Sequence, residues 1–140
     1  MITQINNIEI WLLVYIFVIG LCIGSFLNVV ILRGLADESI VFPPSKCPKC
    51  LNKLKWYHNI PIFSYVFLRG KCAFCHEKIS IQYPIIEFLN GLIYGALFLK
   101  YGLCLNLLFY FIFASLFIVI FMTDIKEKVI FTSHTYILTL

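Results

Sequence analysis

Charge is what this sequence has least of. Asp, Glu, Lys and Arg make up 13% of its 140 residues, and no Lys or Arg stands before Arg33. A soluble domain carries about 25% charged residues. The shortage, with 61% hydrophobic residues and a mean hydropathy of +0.94, excludes a disordered chain and argues against an ordinary water-soluble globule. The missing basic residues at the amino terminus also count against a cleaved secretory signal. Such a signal opens on positive charge and has an apolar core of about 7–15 residues, shorter than the uncharged run here. Glycine (7) and proline (5) are few. No tandem repeat or low-complexity tract stands out, and no nucleic-acid partner is expected.

What the chain has instead is length without charge. Residues 10–32 and 101–123 are two 23-residue stretches free of Asp, Glu, Lys and Arg. Residues 79–99 form a third, of 21 residues, in which Glu87 is the one charge. A membrane crossing needs about 20 predominantly apolar residues, and in lipid the segment must be helical because the backbone has no water to bond to. The expected fold is an all-α polytopic membrane protein of three transmembrane helices. Its expected organisation is a first helix over 1–33, a cysteine-rich loop over 34–78, and two further helices over 79–140. Residues 136–140 turn apolar again, as if beginning another span.

The basic residues predict the orientation. Arg33, Lys46, Lys49, Lys53, Lys55, Arg69, Lys71 and Lys78 crowd the loop against Asp37, Glu38 and Glu77. By the positive-inside rule the loop is cytoplasmic and the amino terminus lies outside. The third helix then returns to the cytoplasmic side and carries Asp124 there.

The loop holds Cys47-Pro-Lys-Cys50 and Cys72-Ala-Phe-Cys75, separated by 21 residues. Two such pairs have the spacing of a four-thiolate zinc site, each pair forming one knuckle. A reducing compartment argues against disulfides, and neighbouring lysines favour the thiolate that a metal needs. Thiol redox chemistry and unligated cysteines are the alternatives. The zinc, with four cysteine ligands and no open position, is expected to be structural. His58 and His76 read as solvated loop residues, and Cys22 and Cys104 as small packing residues within the spans.

Asn28, Glu87 and Asp124 fall at one expected membrane level although far apart in sequence. Ionisable groups within spans are costly and are candidate functional residues. The plainer reading makes Asp124 an interfacial helix end and pairs Glu87 with Lys78 or Lys126. Gly20-x-x-x-Gly24 and Gly91-x-x-x-Gly95 offer small faces for close helix contact.

The run Gly24-Ser-Phe-Leu-Asn-Val-Val-Ile31 with Arg33 resembles the opening of the prepilin leader peptidases. These are membrane aspartic peptidases of type IV pilus and type II secretion systems. The resemblance continues through Cys47-Pro-Lys-Cys50, Trp56-Tyr-His-Asn-Ile-Pro61, Leu68-Arg-Gly-Lys-Cys72 and Tyr83-Pro-Ile-Ile-Glu87. It implies cleavage of the basic leader of prepilin or pseudopilin precursors at the inner (cytoplasmic) membrane. It also implies methylation of the new amino terminus by S-adenosylmethionine, a step associated with the cysteine loop. Asp124, with Ile130, looks like the family's first catalytic aspartate motif. The second lies in a Gly-x-Gly-Asp motif, whereas none of the seven glycines here precedes Asp. The chain is therefore expected to be an amino-terminal portion, completed by a carboxy-terminal half or by a homodimer. The alternative is a non-catalytic membrane zinc module that docks pilin precursors or another subunit.

Overall fold

The structure, a computed structural model, describes residues 6–138 apart from Pro43 and Pro48, with side chains placed as far as Lys128. It is all-helical. Long helices α1 (Asn7–Leu35), α3 (Gln82–Tyr101) and α4 (Leu105–Leu138) form a bundle. Between α1 and α3 the loop carries a 3₁₀ turn (Trp56–Asn59) and the short helix α2 (Phe63–Phe67).

Local chemistry sets the helix ends. Glu9 accepts the Asn6 N–H at 3.1 Å, satisfying a donor at the start of α1. At the other end Arg33 Nη1 donates to the Ser39 and Ile40 carbonyls at 2.8 and 3.2 Å, folding the loop's first residues back over the helix terminus. Helix α4 runs without interruption past the charged residues 124–128. The apolar residues 136–138, expected to begin a new span, are thus its last turn. Charge can end a membrane-compatible stretch without ending a helix, and α4 contains neither Pro nor Gly to break it.

Two helices, α1 and the Leu105–Lys128 part of α4, are long and apolar enough to cross a membrane. Helix α3 has the length, 20 residues, but Gln82, Glu87 and Asn90 leave it less apolar than the other two. The outer faces of α1 and α4 are apolar and open: Trp11 is 74% and Phe113 76% exposed. Apolar surface on this scale belongs against lipid or another protein, not water.

Helices α1 and α3 run antiparallel with their backbones touching. A Cβ on Gly20 would lie 2.7 Å from Gly91 Cα, and one on Gly24 would lie 2.7 Å from Glu87 Cα. Polar side chains clamp the same seam. Asn90 Nδ2 donates to the Gly20 carbonyl at 2.7 Å, and Asn28 Nδ2 to the Tyr83 carbonyl at 3.1 Å. Helix α4 joins through the Tyr94 hydroxyl, 2.9 Å from Ser115 Oγ, which in turn lies 3.5 Å from Asn90 Oδ1. Apolar clusters of Ile16, Tyr94, Phe98 and Leu107, and of Leu27, Ile31, Ile86 and Ile118, fill the seam at two levels.

Candidate functional site

The loop is built from two copies of one turn. Lys46-Cys-Pro-Lys-Cys-Leu-Asn-Lys53 and Lys71-Cys-Ala-Phe-Cys-His-Glu-Lys78 share Lys-Cys-x-x-Cys-x-x-Lys, offset by 25 residues. In each copy the two lysines form an antiparallel bridge. The Cys47 N–H donates to the Asn52 carbonyl at 3.0 Å, and the Cys72 N–H to the Glu77 carbonyl at 2.8 Å. Leu51 donates to the Cys47 carbonyl and His76 to the Cys72 carbonyl. Both of these residues take positive φ, 59° and 55°, a conformation uncommon for residues with a Cβ. No tandem repeat stands out in the sequence. The match is too short and too broken by unlike residues for composition to reveal it, but the hydrogen bonds make it plain.

The two copies bring all four cysteines together. Their sulfurs lie within 4.8 Å of one another, with Cys47–Cys75 at 3.8 Å and Cys50–Cys72 at 4.0 Å. A disulfide requires about 2.05 Å, and these cysteines are free. A tetrahedron of thiolates around a metal with bonds of about 2.3 Å has edges of about 3.8 Å. The cluster therefore has the dimensions of a site that can hold a metal ion. Cys72 and Cys75 are shifted in opposite directions. Backbone N–H groups of Cys75 and Phe74 lower Cys72 to about 7. Cys75, although lowered by the Glu77 backbone N–H, is pushed up to about 12 by desolvation and by the Cys50, Cys72 and Cys47 sulfurs. Thiolates this close repel one another, and a cation between them would offset that repulsion.

Beside the cluster a cavity of about 640 Å³ opens between α1, the start of α3 and the loop; Ser25, Arg33, Cys47, His58, Tyr83 and Glu87 are among its lining residues. Glu87 is buried, at 6% exposure. It pairs with neither Lys78 nor Lys126. One carboxylate oxygen accepts the Ile62 N–H at 2.7 Å, and the Ser25 side chain bonds the same group. No sequence signal marked this link, because its donor is a backbone amide at a residue of unremarkable type. His58 is also not simply solvated. It stacks edge-on against Tyr57 and Phe74, and its buried Nδ1 has no partner. Cys22 and Cys104, expected to be packed, are exposed.

Asn28 and Glu87 are both buried where α1 and α3 meet, Asn28 bonded to the Tyr83 carbonyl. Asp124 does not join them. It is exposed on α4, about a half-turn beyond Met122, which packs against the Leu27–Ile118 cluster, and it is absent from the cavity wall.

The sequence of residues 18–101 matches the family described as bacterial peptidase A24 N-terminal domain. Among curated proteins, the prepilin leader peptidase/N-methyltransferase of Myxococcus xanthus is 42% identical over 122 residues, covering 87% of this chain and 36% of that protein. The protein of the same name from Neisseria gonorrhoeae is 44% identical over 109 residues, 61% of this chain and 38% of its own length. That from Bacillus subtilis is 36% identical over 115 residues, 82% of this chain and 46% of its own. The chain thus spans less than half the length of these relatives. No solved structure matches it significantly.

Proposed function

Because the chain belongs to the bacterial peptidase A24 N-terminal domain family, we propose that it works in prepilin processing at the inner membrane, as an aspartic-type leader peptidase with associated N-methylation. The observation that carries this reading is the coincidence of the family match with the four-sulfur cluster and its adjoining cavity. In this reading α3 is a third crossing, and the cysteine loop and Asp124 lie on the cytoplasmic side, in keeping with the loop's positive charge. The metal is zinc, closed by Cys47, Cys50, Cys72 and Cys75, and its role is to fold the loop rather than to bind substrate. Asp124 is one carboxylate of a pair. Two close carboxylates share a proton and so provide an acid and a base around one water. A methyl donor such as S-adenosylmethionine would supply the methyl group, with the cavity beside the loop as its place.

The test is cleavage of a model prepilin by the purified chain, alone and with the carboxy-terminal portion of a relative supplied. Cleavage by the pair, abolished by Asp124→Asn at unchanged metal content, is the expected result. Binding of the precursor without cleavage in either arrangement would favour a docking module instead. The cavity beside the loop is what gives that second reading its footing.

A further inference from the structure

The cavity contains a buried carboxylate that leader cleavage by an aspartic pair leaves unused. Glu87 sits in the second turn of α3 and its carboxylate has two described partners, the Ile62 N–H and the Ser25 side chain. Both are neutral donors. A buried charge needs a counter-charge or a full set of hydrogen bonds, and two neutral donors leave an ionised carboxylate with lone pairs unsatisfied. The site is also held in place at a cost. Ile62, a β-branched residue, takes φ 60° and ψ −49°, a conformation that a Cβ opposes by about 1–3 kcal/mol. The bond to Glu87 is the interaction that fixes its N–H there.

The rest of the cavity describes the ligand. Its volume, about 640 Å³, is that of a small-ligand or short-peptide site. Phe26, Val29 and Leu32 from α1 and Leu54, Leu68 and Ile79 from the loop give it apolar walls. From Ser25 to Arg33 it follows eight residues of α1, about 12 Å. Arg33, Glu38 and Lys46 also line it, but none of them is buried, and Glu87 is the buried charge of its wall. A guest that sets a positive end on Glu87 and an apolar chain along these walls matches the buried part of the cavity.

We propose that Glu87 receives the free amino terminus of the apolar peptide exposed by leader cleavage, and accepts the proton that N-methylation must displace. The inference rests on the prepilin-processing reading and names the residue that handles the acceptor. The ammonium donates to Glu87 in a charge-assisted hydrogen bond and passes a proton to it. The freed nitrogen lone pair then bonds to the methyl carbon of a sulfonium donor. The carbon–sulfur bond breaks with its electron pair kept by sulfur, leaving a neutral thioether and a methylammonium product. The proton on Glu87 leaves to water.

Binding tests this without turnover. The probe is a fluorescent apolar octapeptide with a free amino terminus, compared with its N-acetylated twin, on the whole chain in nanodiscs. The free amine is expected to bind at least tenfold more tightly. Glu87→Gln should erase that preference while leaving acetylated-peptide affinity and metal content unchanged. Glu38→Gln, a change at the cavity's exposed acid, should preserve it. A preference that survives Glu87→Gln overturns the assignment and leaves the peptidase reading standing. Failure of the metal-loaded wild type to bind either peptide overturns both. A diazirine on the peptide's first side chain, used with unaltered protein, is expected to label Ser25, Ser64 or Tyr83 beside Glu87. Labelling confined to other residues overturns the assignment without recourse to any variant.

Discussion

The cysteine loop and the helix bundle meet at Glu87, yet they are held together by different means. In the bundle, glycines let two backbones touch, and buried Asn28, Asn90, Tyr94 and Ser115 tie three helices across the seam. The loop has almost nothing of that kind. Between residues 36 and 81, the only buried residues among those described are Cys47 and Cys72, two of the four clustered thiols. Its turns include Leu51, Ile62, Arg69 and His76 at positive φ, each an added conformational cost. A segment with no core and several strained turns needs an outside source of order. The bundle supplies one through the Glu87–Ile62 bond, and a metal bound at the four cysteines would supply the other.

Removing that metal should therefore separate the two regions most sharply. Structural zinc in small thiolate sites contributes about 10–16 kcal/mol of apparent binding energy at neutral pH. A strong chelator, or Cys47→Ser, is expected to make residues 49–71 rapidly cleavable by protease while helix content by circular dichroism stays unchanged. Simultaneous loss of helix would show that the bundle depends on the loop. Acid acts in the same direction. Thiols must lose their protons to ligate, and Cys75 is held up near 12, so binding at neutral pH releases protons. Metal affinity should fall as pH drops from 8 to 6, with proton release measurable by calorimetry in buffers of different ionisation enthalpy.

The reverse experiment attacks the bundle. Gly24→Leu drives a side chain into the Glu87 backbone, and overpacking of this kind costs about 1–3 kcal/mol or more. The thermal midpoint in detergent should fall clearly while the cysteines keep their metal, the opposite pattern to chelation. Asn90→Leu removes the bond to the Gly20 carbonyl and leaves Ser115 with one partner fewer. Interhelical hydrogen bonds in membranes average about 0.6 kcal/mol, so the midpoint should fall only slightly. The smallest stability effect is expected at Asp124→Asn, where an exposed side chain changes charge at nearly constant volume. The shift should stay within about 0.5 kcal/mol, and a larger one would give Asp124 a structural role in the bundle.

The pattern of what could be read from the sequence follows the same division. The helices announced themselves through uncharged length. The cysteine cluster was legible from spacing alone, because four soft ligands in two pairs have few other uses. Gly20, Gly24 and Gly91 are legible as small faces, although the pairing of Gly20 with Gly91 and of Gly24 with Glu87 is not. Interactions made by backbone atoms leave no trace in sequence, so the plainer reading pairs Glu87 with Lys78 or Lys126, whereas the structure sets it on the Ile62 amide. Charge at residues 124–128 marks the end of an uncharged stretch but not of α4, whose end no residue type announces. His58 reads as a solvated loop residue because nothing in the sequence shows that Phe74, sixteen positions away, lies against its ring.

The doubled turn of the loop bears on how this region tolerates changes in length. Each half-site closes over a few residues by its own hydrogen bonds, and an ion joining the halves completes a ring that runs through residues 54–70. The entropy lost in closing such a ring rises only logarithmically with its length, by about 0.6 kcal/mol for each doubling. Residues can therefore be inserted into or removed from this intervening arc with little penalty, so long as the two half-sites remain whole. That arc supplies Leu54, His58, Pro61 and Leu68 to the cavity wall. The reach and lining of the cavity can thus diverge while the fastening beside it stays constant.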